Sequence, residues 1–210
     1  MMVSCSFKGT VNDFRVRDMV LEVDPDIRIE GNMSMNDIMY PQSAFMDLSI
    51  KDLQIHQSDL HDMLSFIELP KGVRQFGNIR FVGNYTGFFQ DFVAYGRLKT
   101  SIGEIDSDLK LNFRDGLDQA SYSGGVRFND FDLGAYLDNK NLGKISLRSQ
   151  VYGTGMTLET LSANLENTVI DSIDIKRYVY KDIFIDGKVD KKRFNGILAC
   201  LLYTSDAADE

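Results

Sequence analysis

Apolar and polar residues alternate with a two-residue period through most of the chain, and this period limits what the chain can fold into. Residues 103–113, GEIDSDLKLNF, place Ile105, Leu109, Leu111 and Phe113 at one parity, with charged or polar residues between them. Because successive side chains of a strand point to opposite faces, this segment predicts a strand with one apolar and one polar face. Such strands are typical of antiparallel sheet that is solvated on one side.

The same alternation recurs in residues 77–85, 144–153 and 181–190. In residues 44–55, AFMDLSIKDLQI, the apolar parity changes halfway, which predicts a β-bulge near Lys51 or Asp52. Long helical patterns between these strands are missing, so parallel βαβ units are not expected. The apolar parity of the three segments is held by Ile79, Phe81, Ile145, Leu147, Val151, Ile183 and Ile185.

Two short helices are predicted between the strands. Residues 58–70, SDLHDMLSFIELP, carry apolar residues at helical spacing and end at a proline. Residues 132–139, DLGAYLDN, carry a smaller stripe of Leu133, Tyr136 and Leu137, and Asp132 is placed to cap its start. The predicted fold class is therefore all-β, an extended antiparallel sheet with two short helices.

Composition excludes several classes of protein. The chain has 210 residues and a net charge of −8, and an acidic chain lacks the basic surface that nucleic acid requires, so no nucleic-acid partner is expected. No apolar run approaches the roughly 18 residues of a membrane-spanning helix. Cys5 lies in an alternating run with Val3 and Phe7, which predicts a thiol packed in the core.

The sequence carries no recognisable signature of catalysis or of cofactor binding. The nucleophile-elbow, zinc-protease and phosphate-loop patterns are missing. His56 and His61 stand near Asp59 and Asp62, but a polar helix start explains them better than a metal site. The aromatic residues crowded into residues 84–95 fit cross-strand packing better than contact with lipid. The sequence predicts no enzyme, no metal and no cofactor.

Residues 200–210, CLLYTSDAADE, do not continue the alternation. In one reading frame a transposase adapter from sequencing-library preparation encodes this stretch, so we interpret it as translated adapter and set it aside. The natural part is then expected to be residues 1–199, an interior piece of a longer protein.

Three stretches carry recognisable motifs. Residues 77–111 carry a G-x-x-x-D-F turn and an L-K-T-x-x-G strand end, and residues 131–143 carry the short helical segment FDLGAYLDNKNLG. Residues 142–198 carry the pattern Y-x-Y-K-D-I-x-I-D-G followed by F-x-G, whose positions are held by Tyr178, Tyr180, Asp182, Ile183, Asp186, Gly187, Phe194 and Gly196. These motifs resemble the TamB branch of the AsmA-like proteins, and the short helical segment is similar to the helix that precedes a new repeat in that family.

The resemblance implies a specific architecture and role. Members of this family are periplasmic bridges in Gram-negative envelopes, in which an extended β-sheet is folded lengthwise into a groove, a β-taco. An inner-membrane helix anchors the N-terminus, and the C-terminus meets an outer-membrane barrel of the Omp85 type. The family is implicated in moving phospholipid between the membranes and in outer-membrane protein assembly. Residues 1–199 match an interior part of the groove, so anchor and barrel contact are expected on segments outside this sequence.

The apolar parity of the strands fits this role, because phospholipid acyl chains gain roughly 0.8 kcal/mol per buried methylene in an apolar groove. The role of each lining residue would be only to be apolar and to point inward. The hypothesis assigns the lining to Ile79, Phe81, Ile105, Leu109, Leu111, Phe113, Ile145, Leu147, Val151, Ile173, Ile175, Ile183 and Ile185.

Two other interpretations of the same pattern remain. A structural or adhesive envelope stalk with a closed, dry core would have nearly the same sequence. An outer-membrane barrel also alternates, but the lack of tryptophan, the two short helices and the lack of aromatic girdles oppose it. A single bulge reverses the parity of a strand, so individual residues of the lining depend on where bulges fall.

Overall fold

The described residues form one antiparallel sheet of twelve strands, whose spatial order follows the sequence from β1 to β12. The computed structural model describes residues 2–24, 27–40, 43–59, 71–157 and 159–200. Strands β1 and β12 lie at opposite edges, so the sheet is open. The all-β prediction is confirmed, and the helical content is small.

Short turns connect most neighbouring strands, and the few helical segments lie between them. The 3-10 helices are η1 (Lys71–Gln75) and η2 (Leu117–Gln119), and the α-helix is α1 (Leu133–Leu137). Residues 57–59 are helical, but the rest of the helix predicted over 58–70 falls outside the described residues. The strands are β1 (Met2–Gly9), β2 (Phe14–Asp24), β3 (Ile27–Asn36), β4 (Phe45–His56), β5 (Asn78–Phe88), β6 (Asp91–Thr100), β7 (Gly103–Asn112), β8 (Ser121–Asp132), β9 (Leu142–Thr154), β10 (Ser162–Ile175), β11 (Tyr178–Asp190) and β12 (Arg193–Cys200).

The register of the strands places apolar residues beside one another across the sheet. Residues directly opposite in an antiparallel pair lie on the same face, so a chain of paired residues traces one row. We call the face that carries this row the apolar face and the opposite one the polar face. The first apolar row crosses β2 to β11 through Leu21, Ile29, Leu53, Phe81, Leu98, Ile105, Phe128, Leu147, Ile170 and Ile183.

β-Bulges keep the apolar residues on one face where the sequence parity changes. Strand β4 pairs Ile50 with Gly83 and Leu53 with Phe81, so Lys51 and Asp52 together oppose one residue of β5. The bulge predicted at Lys51 or Asp52 is confirmed. It returns Leu53 to the face that carries Ile50.

Further bulges were not predicted, and Asp or Asn stands in the left-handed region at three of them. Asp18, Asp130 and Asn167 have φ of 48°, 47° and 50° and lie where the pairing register shifts. These residue types tolerate that region better than most. The amide of Asp18 donates to Asn32 Oδ1 at 3.0 Å and that of Asp130 donates to Ser146 Oγ at 3.0 Å, so side chains replace the lost ladder bonds.

A contiguous hydrophobic cluster lies at one end of the strands, the end where η1 and α1 are found. We call this end of the sheet the capped end. The Phe76 ring lies 6.4 Å from that of Phe131 and 6.0 Å from that of Tyr136, so η1 and α1 cover the apolar face there. The buried members are Ile55, Phe76, Ile79, Phe131, Ile145, Ile170, Ile173 and Ile183.

The capping helix α1 follows its sequence signals closely. Asp132 is the N-cap, and its carboxylate accepts a 2.8 Å hydrogen bond from the amide of Ala135. Leu133 and Tyr136 pack against the hydrophobic cluster as predicted. Leu137 does not, because it is exposed, so the predicted apolar stripe is one residue too long.

Away from the capped end the described residues place little over the sheet, because their main contacts other than strand pairing are those of α1 with β9 and η1. The prediction that Cys5 is a packed thiol is wrong: Cys5 is exposed, and the register of β1 shifts at this position, between Ser4 and Ser6.

Loss of the α1 cap is expected to destabilise the capped end. Asp132→Ala removes the acceptor for the Ala135 amide and should lower the free energy of unfolding by about 1 kcal/mol. Asp132→Asn keeps a good capping group and should change it little. Urea denaturation of the three proteins measures both effects, and equal stability of wild type and Asp132→Ala would contradict this role.

The Asp52 carboxylate, which lies in the bulge of β4, should make the stability of the fold depend on pH. Burial raises the pKa of Asp52, but hydrogen bonds from Gln54 (2.8 Å) and Arg80 (2.6 Å) outweigh it and hold the pKa below its ordinary value. Such a carboxylate stabilises the fold above its unfolded pKa, and this contribution is lost as the pH falls through the lower folded pKa. Asp52→Asn should therefore destabilise the protein near neutral pH.

The stability difference between Asp52→Asn and wild type should shrink when denaturation is repeated at about pH 3, below the unfolded pKa of about 3.9. Asp115→Asn is the matched control, because Asp115 is exposed and makes no ion pair within the described part of the chain. A difference that does not change with pH would contradict the assignment.

Candidate functional site

The candidate site is the part of the apolar face beyond the capped end, which we call the open half. Apart from neighbouring strands, the main contacts between described elements join α1 to β9 and to η1, so no second layer covers this half in the described structure. Two more apolar rows cross it. One contains Val16, Met33, Leu48, Tyr85, Ala94, Leu109, Gly124, Val151, Leu165 and Gly187, and the other Phe14, Met35, Met46, Gly87, Phe92, Leu111, Tyr122, Gly153, Ala163 and Val189.

The thirteen residues predicted to line a groove are all buried or half-buried. They fall into two groups. One group belongs to the hydrophobic cluster or packs against it: Ile79, Ile105, Ile145, Leu147, Ile173, Ile175, Ile183 and Ile185. The other lies outside that cluster: Phe81, Leu109, Leu111, Phe113 and Val151.

Strands β2 to β4 extend the open half, and the sequence-based lining missed them. Met33 and Met35 on β3 face Leu48 and Met46 on β4. Methionine is unbranched and polarisable, so such a surface adapts to apolar ligands of varied shape. The sequence does indicate this part of the lining, because apolar and polar residues alternate in IRIEGNMSMN, residues 27–36 of β3.

Aromatic side chains pack against one another on the open half. The Phe92 ring stacks on that of Tyr85 at 4.5 Å and meets that of Phe113 at 6.0 Å. The Tyr85 hydroxyl donates to the carbonyl of Phe88 at 2.9 Å, and burial raises its pKa, so it stays neutral. The cross-strand packing predicted for residues 84–95 is found here, while Tyr95 is exposed on the polar face.

A band of small residues separates the first apolar row from the open half. Its members include Gly83, Gly96 and Ser107, which are directly paired on β5, β6 and β7. Further along the band, Ser149 and Thr168 are buried, and their hydroxyl oxygens lie 2.5 Å apart. Each hydroxyl thus satisfies the other, which removes the cost of placing polar groups on an apolar face.

The polar face carries a cleft of about 920 Å3 between β5 and β10. Arginine and lysine side chains line it, most of them in ion pairs: Arg97 with Asp106 at 2.6 Å and Arg148 with Asp171 at 2.9 Å. Sequence reasoning treated this face as merely solvated, because the lining residues come from separate strands.

Metal-ligating side chains do not converge in the described structure. His56 Nδ1 lies 2.7 Å from Ser58 Oγ, and His61 lies outside the described residues. No group of three or more histidine, cysteine or acidic residues has metal-binding geometry among the residues described. No described helix has the length and apolar character needed to cross a membrane.

No protein-family model, no curated protein and no solved structure matches this chain. The resemblance to AsmA-like proteins therefore stays a prediction from sequence motifs.

The buried hydroxyl pair predicts a measurable coupling. Thr168→Val should lower the free energy of unfolding by about 1 kcal/mol, because Ser149 loses a buried partner. The double variant Ser149→Ala/Thr168→Val should be less destabilised than the sum of the single variants by at least about 0.5 kcal/mol. Thr86→Val, which removes an exposed hydroxyl, is the control in the same urea titrations, and strict additivity would contradict the pairing.

Proposed function

We propose that the open half of the apolar face carries phospholipid acyl chains. One observation supports this most directly: apolar rows run from β2 to β11 on a face whose open half no second layer of described residues covers. An uncovered apolar surface of this extent is a liability unless something apolar occupies it.

The energetics suit carriage rather than tight storage. Each buried methylene contributes roughly 0.8 kcal/mol, so an acyl chain is held by many small, similar gains. Neighbouring strands are about 4.8 Å apart, and each presents apolar residues in the same rows. An acyl chain that moves along the rows exchanges one set of contacts for a similar set, which keeps the barrier between positions low.

The family resemblance adds a setting to this proposal. In that setting the protein lies in the periplasm, is held in the inner membrane through a segment outside this sequence, and meets an Omp85-type barrel at the outer membrane. It would carry phospholipid between the two membranes and support outer-membrane protein assembly. The chemistry resides in the shape and apolar character of the face, and no catalytic residue is assigned.

The alternative is a structural stalk that binds no lipid. The hydrophobic cluster of the capped end favours it, because Phe131 and its neighbours are already covered by η1 and α1. A stalk would need the open half to be shut by protein as well.

Lipid binding can be tested with single tryptophan reporters, because the chain contains no tryptophan. Leu109→Trp places the reporter on the open half, and Lys110→Trp places it on the polar face of the same strand. Short-chain phosphatidylcholine with brominated acyl chains is added below its critical micelle concentration, so no bilayer is present. We expect several-fold stronger quenching in the Leu109→Trp variant, since bromine quenches only on close approach.

Circular dichroism checks that both variants keep their strand content, and Leu111→Trp is a second inward reporter. Equal quenching on both faces would indicate unspecific adsorption. No quenching in either inward variant would overturn the proposal, and the stalk would become the better assignment.

A further inference from the structure

A row of charged residues crosses the polar face and lines the cleft on that face. The register sets Arg97, Asp106, Arg127 and Arg148 side by side on β6, β7, β8 and β9. Arg127 and Arg148 are thus directly opposite each other on neighbouring strands. Like charges in this position destabilise a sheet unless a counter-charge lies between them.

The carboxylate of Asp106 does not supply that counter-charge to Arg127. Its Oδ1 accepts the Arg97 Nε–H at 2.6 Å, and its Oδ2 accepts from Asn129 Nδ2 at 3.3 Å. Within the described residues, the Arg127 side chain makes no hydrogen bond and no ion pair. Its guanidinium therefore stands in the cleft with its donors unused.

Arg148 is held from its other side. Its Nη1 donates to Asp171 Oδ1 at 2.9 Å, on the side of the strand away from Arg127. This bond fixes the position of the guanidinium and leaves its remaining donors available. The pair therefore combines one anchored and one unengaged arginine.

Neutral donors surround the arginine pair. Gln150 and Asn167 line the same cleft, and their side-chain amides make no hydrogen bond in the described part of the chain. Gly125, directly opposite Gln150, has no side chain, so the Gln150 amide lies over it, with Nε2 3.0 Å from the position that a Cβ would take. The site thus offers two guanidinium groups, two amides and room for a small group.

Five cationic side chains line the cleft, and four of them are already neutralised by carboxylates. Arg80, Arg97, Lys99 and Arg148 form ion pairs with Asp52, Asp106, Glu104 and Asp171. Among the described residues, Arg127 is therefore the lining cation without a carboxylate partner, and Asp108 is the lining carboxylate without a cationic one.

We propose that Arg127 and Arg148 bind a phosphate group in this cleft. Two guanidinium forks match the oxygens of a tetrahedral dianion, and the amides of Gln150 and Asn167 serve the oxygens that remain. A bound phosphate relieves the repulsion of the opposed arginines. The site lies on the face opposite the apolar rows, so it is independent of the proposed function.

The same phosphate chemistry has two sources, a soluble phosphomonoester and an anionic lipid head group. Both place a dianionic oxygen cluster on the arginine pair. The experiment below separates the two.

The first measurement is titration of the full chain with inorganic phosphate by calorimetry, with chloride keeping the ionic strength constant. Arg127→Gln should weaken binding about tenfold, the size of one lost charge-assisted hydrogen bond. Asp108→Asn should strengthen binding, because it removes the unpaired acidic charge from the cleft. Lys188→Gln, an equal charge change on β11 outside the cleft, should leave binding unchanged.

Arg127→Lys keeps the charge but loses the planar fork, so it separates geometry from charge, and circular dichroism confirms that each variant is folded. The lack of phosphate binding by wild type would overturn the proposal. Equal weakening by Arg127→Gln and Lys188→Gln would also overturn it, because that result indicates only a diffuse effect of net charge.

Flotation with phosphatidylcholine vesicles, with and without phosphatidic acid, identifies the source. Binding that requires both phosphatidic acid and Arg127 supports a lipid head group. Binding of inorganic phosphate with no vesicle binding supports a soluble phosphomonoester. Because the tryptophan reporters probe the other face, failure of one proposal leaves the other measurable.

Discussion

Cross-strand register is the constraint on which the rest of the structure depends. A slip of one residue in any strand would turn its apolar residues to the polar face, since side chains alternate with a period of two. The bulge at Lys51 and Asp52, and those at Asp18, Asp130 and Asn167, reset this parity inside long strands. Without them, the first apolar row would break at β2, β4, β8 and β10, and no continuous apolar surface would exist.

The sequence predicted the alternating strands and the bulge in β4, because both are visible as parity in a single segment. Asp130 was not recognised as a bulge, since an aspartate between apolar residues is also normal on a solvated face. Cys5 was wrongly placed in the core for a related reason, because the register shift in β1 does not change the alternation of apolar and polar residues in its sequence. The arginine cleft was missed because Arg97, Arg127 and Arg148 come together only through the pairing of separate strands.

The two faces of the sheet have separate chemistry. On one face, methionine, leucine and aromatic residues form long rows whose contacts are interchangeable and unspecific. On the other face, ion pairs such as Arg97–Asp106 fix individual side chains in place and leave Arg127 as an exception. A single sheet thereby has an apolar face suited to ligands that move along it and, on its other side, a polar face suited to binding a charge at one place.

The strand order has a kinetic consequence. Every strand pairs only with its neighbours in sequence, so the sheet grows or shortens one hairpin at a time, much as a repeat protein does. Among the described elements, contacts between distant strands, which would make opening all-or-none, are few, and η1 and α1 add local cover at the capped end. Protection of the backbone amides from hydrogen exchange would then differ from strand to strand. It would be highest in the central strands near η1 and α1 and lowest in the edge strands β1 and β12.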